Sequence, residues 1–408
     1  MSSTELIPHL FRTEFSKIVS VLSKQFGMEQ MEWAEDIASE TFLSALHTWP
    51  YKGVPGNPEA WLYTVARNKA LNDYKRNRLF AAKISPELKQ TSTALEEMEI
   101  DLSATNISDS QLQMLFAVCH PSIPPEAQVA LALRVLCGLG IDEIATAFLT
   151  SKDVINKRLY RAKEKLRQED VLIEMPPDTE IIQRLDTVLT TLYLLFNEGY
   201  YSESQDAILR QELCEEAMRL TELLIENKKT ALPFAYALYA LMCFHASRFA
   251  ARKDNTGAII LYADQDDNLW DRELIARGAY HLHLASVGDN ISRYHLEAAI
   301  AYWHTQKADT PEKWESILQL YNQLLRLHYS PVAALNRTFA LYKANGREQA
   351  IKEAEQLQLS GNHYYHILLG ELYKETDTAL ARQYFENALK LASNATERKM
   401  IVDKIECL

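Results

Sequence analysis

Between Ser151 and Arg167 the chain carries one helix with two opposed faces, and no other feature constrains the fold as strongly. Ile155, Leu159, Ala162 and Leu166 recur at helical spacing, so that side must be buried against a neighbour. Asn156, Lys157, Tyr160 and Arg161 share the opposite, exposed face, with Lys152, Arg158, Lys163, Lys165 and Arg167 around them. Ser151 is placed as the N-cap, its hydroxyl satisfying an orphan amide of the first turn. Upstream, Ile141 to Phe148 reads as a shorter helix containing Asp142-Glu143-Ile144-Ala145, and Leu149-Thr150-Ser151 is the turn between them. In such a helix-turn-helix an exposed amide, phenol and guanidinium suit base edges in a major groove, while flanking cations suit phosphates.

The rest of the chain must then be compatible with local nucleic-acid contact. A net charge of −12 over 408 residues excludes a protein that coats nucleic acid or membranes indiscriminately, so any DNA contact comes from local patches. Only 12 glycines, and few Asn-Gly or Asp-Gly turns, favour helices over hairpins. Cys119, Cys137, Cys214, Cys243 and Cys407 are scattered and odd in number, without metal-ligand spacing; reduced thiols and a cytoplasmic location are expected. Cys119-His120 reads as a helix end before Pro121, not as a metal pair. The N-terminus lacks a basic segment followed by an apolar core, so no signal peptide is expected. The longest apolar run, Leu232 to Phe244, is too short to span a bilayer and fits a buried helix.

The expected fold is all-α. Residues 1–79 read as helices: Phe11, Phe15, Ile18, Val19 and Leu22 line the first, and Trp33, Ile37, Thr41, Leu43 and Ala45 belong to the next, which stops near Trp49-Pro50. The segment 51–58 (YKGVPGNP) is a loop, and Asn57-Pro58 opens a further helix from Glu59 to Leu79 with the proline in its first turn. Residues 80–112 collect Ser, Thr, Glu and Asp, including Glu96, Glu97, Glu99 and Asp101, and read as a polar linker. A compact helical unit follows from 113 to 170, its turn marked by Gly138 and Gly140. From 171 to 408 the chain is almost continuous helix, interrupted by Lys253 to Asn268. Leu369, Gly370, Tyr373, Ala381, Phe385 and Ala388 resemble a tetratricopeptide pattern, with a degenerate copy before it, placing repeats at about 331–394.

Two further constellations carry chemistry. Glu32, Glu35, Asp36 and Glu40 lie within nine residues beside an apolar seam, followed by Thr41-Phe42-Leu43; this suits docking on a basic partner helix, although a charge run alone also fits a solvated face. Trp61 to Ala70 (WLYTVARNKA) continues to Asp73-Tyr74-Lys75-Arg76-Asn77-Arg78, with five cations and one acid in the twelve residues from Arg67. Cations interleaved with aromatics and amides suit the phosphates and unstacked bases of single-stranded DNA, and Trp61 fits a core position equally well.

In this order, residues 1–170 resemble a bacterial extracytoplasmic-function sigma factor of the sigma-70 family. WAEDIASETFLSALHTW is similar to the helix that docks on the polymerase core. NPEAWLYTVARNKALNDYKRNR is similar to the region 2 segment that opens and binds the −10 element. IPPEAQVALALRVLCGLGIDEIATAFLTSKDVINKRLYRAKEKL is similar to region 4, which reads the −35 element. The resemblance implies core RNA polymerase and promoter DNA as partners, no catalysis and no cofactor or metal. Glu35, Asp36, Glu40, Phe42 and Leu43 would contact the polymerase clamp helices. The loop from Lys52 to Asn57, with Trp61, Thr64, Arg67 and Asn68, would hold a flipped base of the −10 element, beside the basic Lys75 and Arg76. Asn156, Lys157, Tyr160 and Arg161 would address the −35 element, with Ser151, Lys152, Arg158 and Lys163 on its phosphates. Relatives often carry Arg or Lys where Asn156 stands, and Asn prefers adenine, so a different −35 sequence is implied.

The third region sets the chain apart. LYLLFNEGYYSES (192–204) and DQDDNLWD (264–271), followed by the repeats, resemble the subgroup with a long helical C-terminal extension, thought to regulate from within the same chain; the repeats themselves fit either a protein or peptide partner or purely internal packing. Asn197, Glu198, Asp264, Asp266 and Trp270 are dense enough for a buried hydrogen-bonded network that pins the extension together. The extension is net −9 from residue 171; it either folds back on the basic surfaces or braces the DNA-binding modules, and its large helical core favours bracing. The rival reading is a helix-turn-helix repressor or activator with a tetratricopeptide sensor, acting without core polymerase; WLYTVARN argues against it, since a plain repressor has no use for a melting module.

Overall fold

The structure, a computed structural model, describes residues 3–84, 99–148, 150–201, 207–252, 260, 262–392 and 395–408, and contains helices but no strand among them. It divides into two compact units, Met1–Ala231 and Leu232–Leu408. Among the described residues no helix is long and apolar enough to cross a membrane.

The first unit begins with α1 (Ser3–Phe26), α2 (Met31–Lys52) and α3 (Pro58–Ile84). The expected α1 seam is the buried one: Phe15, Ile18, Val19 and Leu22 have no exposed surface. Phe11 joins it by packing on Phe15 and on Phe42 of α2, with ring centroids 4.8 and 5.0 Å apart. α2 runs two residues beyond Pro50, which lies in its last turn, and ends at Gly53 with φ +82°. Leu43, expected in the α2 seam, is instead 51% exposed.

α3 and the next helix, α4 (Ala104–Val118), both enter the span that composition marked as linker. The polar residues there build a helix start. Asp101 accepts hydrogen bonds from the Ser103 amide and hydroxyl (2.8 and 3.0 Å), Ser103 caps α4, and Ile100 beside them is buried. Glu96 and Glu97 lie outside the described residues.

α5 (Pro125–Val135), α6 (Ile141–Ala147) and α7 (Lys152–Gln168) complete the helix-turn-helix module. From Val129 to Val135 only Arg134 on α5 is not buried, as expected for a helix surrounded by others. Gly138, at φ +68°, makes the turn towards α6 in a conformation that a side chain would strain. α8 (Ile181–Tyr201) and α9 (Ala207–Glu226) pair with each other and pack on α4 and α5, so the first unit continues past position 170.

The second unit starts with α10 (Pro233–Ala246), the apolar run of the sequence, whose residues from Ala237 to Phe244 are all buried. α11 (Arg272–Ala285) follows, capped by Asp271, whose carboxylate accepts from the Leu274 amide at 2.9 Å. Then come α12 (Arg293–Trp303), α13 (Pro311–Leu327), α14 (Pro331–Asn345), α15 (Arg347–Leu357), α16 (His363–Tyr373), α17 (Thr378–Leu391) and α18 (Ala395–Glu406). The repeat-like residues are the core of the α16–α17 pair: Leu369, Ala381, Phe385 and Ala388 have no exposed surface. A Cβ on Gly370 would stand 2.6 Å from the Phe385 ring, which explains the glycine in that pattern. The network expected of Asp264 and Asp266 does not form, because both carboxylates are exposed; Asp266 caps its own turn through Asn268, and Trp270 alone is buried.

Candidate nucleic-acid interface

α7 presents its charged face much as its periodicity requires. Ile155, Leu159, Ala162 and Leu166 are buried, and the Ser151 hydroxyl accepts from the Val154 amide at 3.4 Å. Asn156, Lys157, Tyr160 and Arg161 are exposed together, Tyr160 by 65%. Lys152 is also exposed and pairs with Asp142 at 2.5 Å, a contact that water screens and a phosphate can displace. Two of the expected phosphate contacts are elsewhere. Arg158 is half-buried with its guanidinium over the Phe148 ring, 5.3 Å from the centroid. Lys163 points back into the unit, its ammonium 2.8 Å from Glu35.

On α3, Asn57 accepts from the Ala60 amide at 3.0 Å and Pro58 opens the helix, so Asn57 has a capping role whatever else it does. Thr64, Arg67, Asn68, Lys75 and Arg76 are exposed, as is Lys52 in the last turn of α2. Trp61 is half-buried edge-on against the buried Trp49, centroids 5.4 Å apart, so its ring is partly core and partly available. Arg76 pairs with Asp73, which also accepts from the Trp33 indole at 2.8 Å. Tyr63 donates to the buried Glu14, whose other oxygen takes Lys17 at 2.7 Å; burial first, then that carboxylate, raises the Tyr63 pKa. Glu14 gave no signal in the sequence, being one more acid on a helix. Residues 99–102 border a groove with Tyr63, Thr64 and Arg67, so the acidic Glu99 and Asp101 stand beside the expected −10 residues.

The acidic helix behaves differently. Asp36, Glu40 and Leu43 are exposed along one side of α2, with Glu40 3.1 Å from Lys69. Phe42 is in the core against Phe11, and Glu35 is buried, its carboxylate between Lys163 and Arg134 (2.8 and 3.1 Å). The sequence grouped all five as one contact surface, and the structure leaves three of them at the surface.

The helices beyond the helix-turn-helix module are tied to it by polar bonds that no local pattern announces. Gln111 of α4 donates to Ser16 of α1 at 3.3 Å and accepts from Arg219 of α9 at 3.3 Å. Arg219 also donates to the Leu136 carbonyl at 3.1 Å, Arg184 of α8 to the Phe116 carbonyl at 2.8 Å, and the Thr191 hydroxyl to Gln128 at 2.9 Å. Burial pushes the Cys119 thiol up to about 12, and the His120 Nδ1 is 2.8 Å from the Ser122 hydroxyl, as suits a structural helix end. In α8, burial raises the Glu198 pKa.

Three family models match. Sigma-70 region 2 covers residues 10–80, sigma-70 region 4 covers 113–166, and a family of unknown function (DUF6596) covers 184–286. Over 91% of its length the chain is 37% identical to an uncharacterized protein of Rhizobium meliloti (strain 1021), covering 89% of that protein. It is 28% identical to the RNA polymerase sigma factor YlaC of Bacillus subtilis (strain 168), over 41% of this chain and 94% of the relative. It is 32% identical to the ECF RNA polymerase sigma factor BldN of Streptomyces coelicolor, over 33% of this chain and 49% of the relative. No solved structure matches. The chain belongs to the extracytoplasmic-function sigma factors of the sigma-70 family, with an additional C-terminal domain.

Proposed function

We propose that this sigma factor binds core RNA polymerase and directs it to promoters with a −10 and a −35 element, working in the cytoplasm without bond chemistry of its own. The observation that carries the reading is the exposed Asn156, Lys157, Tyr160 and Arg161 face of α7, in one compact unit with the exposed Thr64, Arg67 and Asn68 of α3. The first face addresses duplex base edges, the second unstacked bases, each worth about 1–3 kcal/mol by stacking. Asp36, Glu40 and Leu43 are the docking residues at the surface, and Asn156 selects adenine in the −35 element. Transcription by purified core polymerase on fragmented genomic DNA tests this. Discrete starts that depend on the chain and follow a shared pair of elements are expected. Duplex binding without core, and no new starts with it, would instead establish a helix-turn-helix repressor or activator with a tetratricopeptide sensor.

The extension acts in this reading as a brace, with the repeats of 331–394 free to take a protein or peptide partner. Arg184, Thr191 and Arg219 hold α8 and α9 onto α4 and α5, and α5 packs against α7. A chain ending near Arg167 should transcribe poorly; full activity from it would defeat bracing.

A further inference from the structure

In the second unit, Lys313 stands in the first turn of α13 and is 2% exposed. Its ammonium donates to uncharged acceptors, the Tyr262 hydroxyl at 3.0 Å and the Gln306 carbonyl at 2.5 Å, and pairs with no carboxylate among the described residues. A cation so placed is disfavoured twice, since burial calls for a counter-charge and the amides of a helix start carry partial positive charge. The two carboxylates whose charge reaches Tyr262, Asp309 and Asp267, are paired with Lys343 (2.6 Å) and Arg272 (3.3 Å). More cations gather instead. The Lys313 and Lys307 ammoniums are 5.2 and 5.7 Å from the Tyr262 ring centroid, and the Arg248 guanidinium is 5.6 Å from it. Burial lowers the Lys313 pKa; Asp309 opposes this, and Lys307, Lys343 and Arg248 add to it. Attraction to one ring offsets only part of the repulsion among three like charges.

The same ring adjoins polar groups without partners. Trp270 stacks on Tyr262, centroids 6.2 Å apart, with the Lys307 ammonium 5.9 Å from its own centroid. It is 3% exposed, yet its indole N–H has no acceptor. His304 meets Tyr262 edge-on at 5.2 Å, and its buried Nδ1 is unpartnered. Burial, then Arg248 and Lys313, push its pKa down to about 3, so the ring is neutral and Nδ1 can carry a proton to donate. The buried Gln265 Oε1 is an acceptor without a donor.

We propose that this cluster binds the phosphate group of a small molecule, with Lys313, Lys307 and Arg248 supplying charge and the Trp270 indole N–H a directed hydrogen bond. Lysine serves phosphate as a point charge, and a helix start favours an anion. Monohydrogen phosphate or an ester hydroxyl brings the O–H that Gln265 lacks. Lys313 and Trp270 are too deep for the backbone of a duplex, and the extension around them is net −9 from residue 171, so a small anion fits where a polyanion does not. The site belongs to the second unit, whereas α3 and α7 belong to the first.

Calorimetric titration of the full-length chain at constant ionic strength tests this, with inorganic phosphate as one probe and adenosine monophosphate as the other. Saturable binding is expected, with a thermal unfolding midpoint that rises with probe concentration by mass action. Binding of both probes assigns the site to the phosphate group itself; binding of the nucleotide alone assigns it to a phosphate ester. Lys313→Met should weaken binding about tenfold or more. It should also keep or raise the midpoint of the probe-free chain, because it removes a buried charge without a counter-charge. Trp270→Phe keeps a ring and removes the N–H, and should weaken binding about fivefold. If Lys313→Met does not fold, Trp270→Phe decides alone. No saturable binding of either probe would overturn the site, as would binding that the folded variants leave unchanged.

Discussion

α7 and α2 are both amphipathic helices of one compact unit, both marked by charge beside an apolar seam, yet they use that charge in opposite ways. α7 buries its aliphatic seam and leaves Asn156, Lys157, Tyr160 and Arg161 in solvent. α2 buries Ile37, Ala38 and Phe42, but takes Glu35 inside with them, because Arg134 and Lys163 meet it there. Apolar periodicity settles which side of a helix goes in. It does not settle whether a polar residue at the edge of that side stays wet, since that depends on a cation supplied by another helix, 99 or 128 residues away.

The comparison can be broken at several points. Ile155→Ala, in the α7 seam, should lower stability by about 2–4 kcal/mol, read as the thermal unfolding midpoint, since it opens a cavity where there is no exposed surface. A loss under about 1 kcal/mol would mean that α7 is not anchored as described. Glu35→Ala should cost about 1–3 kcal/mol in the same measurement, because it strands two largely buried cations. Arg161→Ala should leave the midpoint unchanged and weaken promoter binding about 10-fold or more, if it reads a base edge. Asp36→Asn, one residue from Glu35 but exposed, should move stability by less than about 0.5 kcal/mol and act on core binding alone. If Asp36→Asn and Glu35→Ala destabilised equally, the contrast between the exposed and the buried carboxylate would be lost.

Much of the fold was legible from local pattern. The α1 seam, the Ser151 cap, Pro58 in the first turn of α3 and the Gly370–Phe385 pair follow from spacing and from the few residues that suit caps and close packing. The start of α4 was hidden because Asp101 and Ser103, read as linker chemistry, are also capping chemistry, and local composition does not distinguish the two. Glu14, Arg134 and Gln111 gave no signal, since each acts through a partner far away in the chain.

The amino-acid sequence by itself determined that this chain is helical, which side of each helix is apolar, and which face of α7 stays in solvent. These depend on periods of three and four residues, and a local period needs no tertiary partner to exist. Only the tertiary structure decided that Glu35 and Lys163 satisfy each other, that Phe42 belongs to the core, and that α8 and α9 belong with the helix-turn-helix module. A buried charge is stable only beside its counter-charge, and which distant residue provides it is fixed when the helices pack.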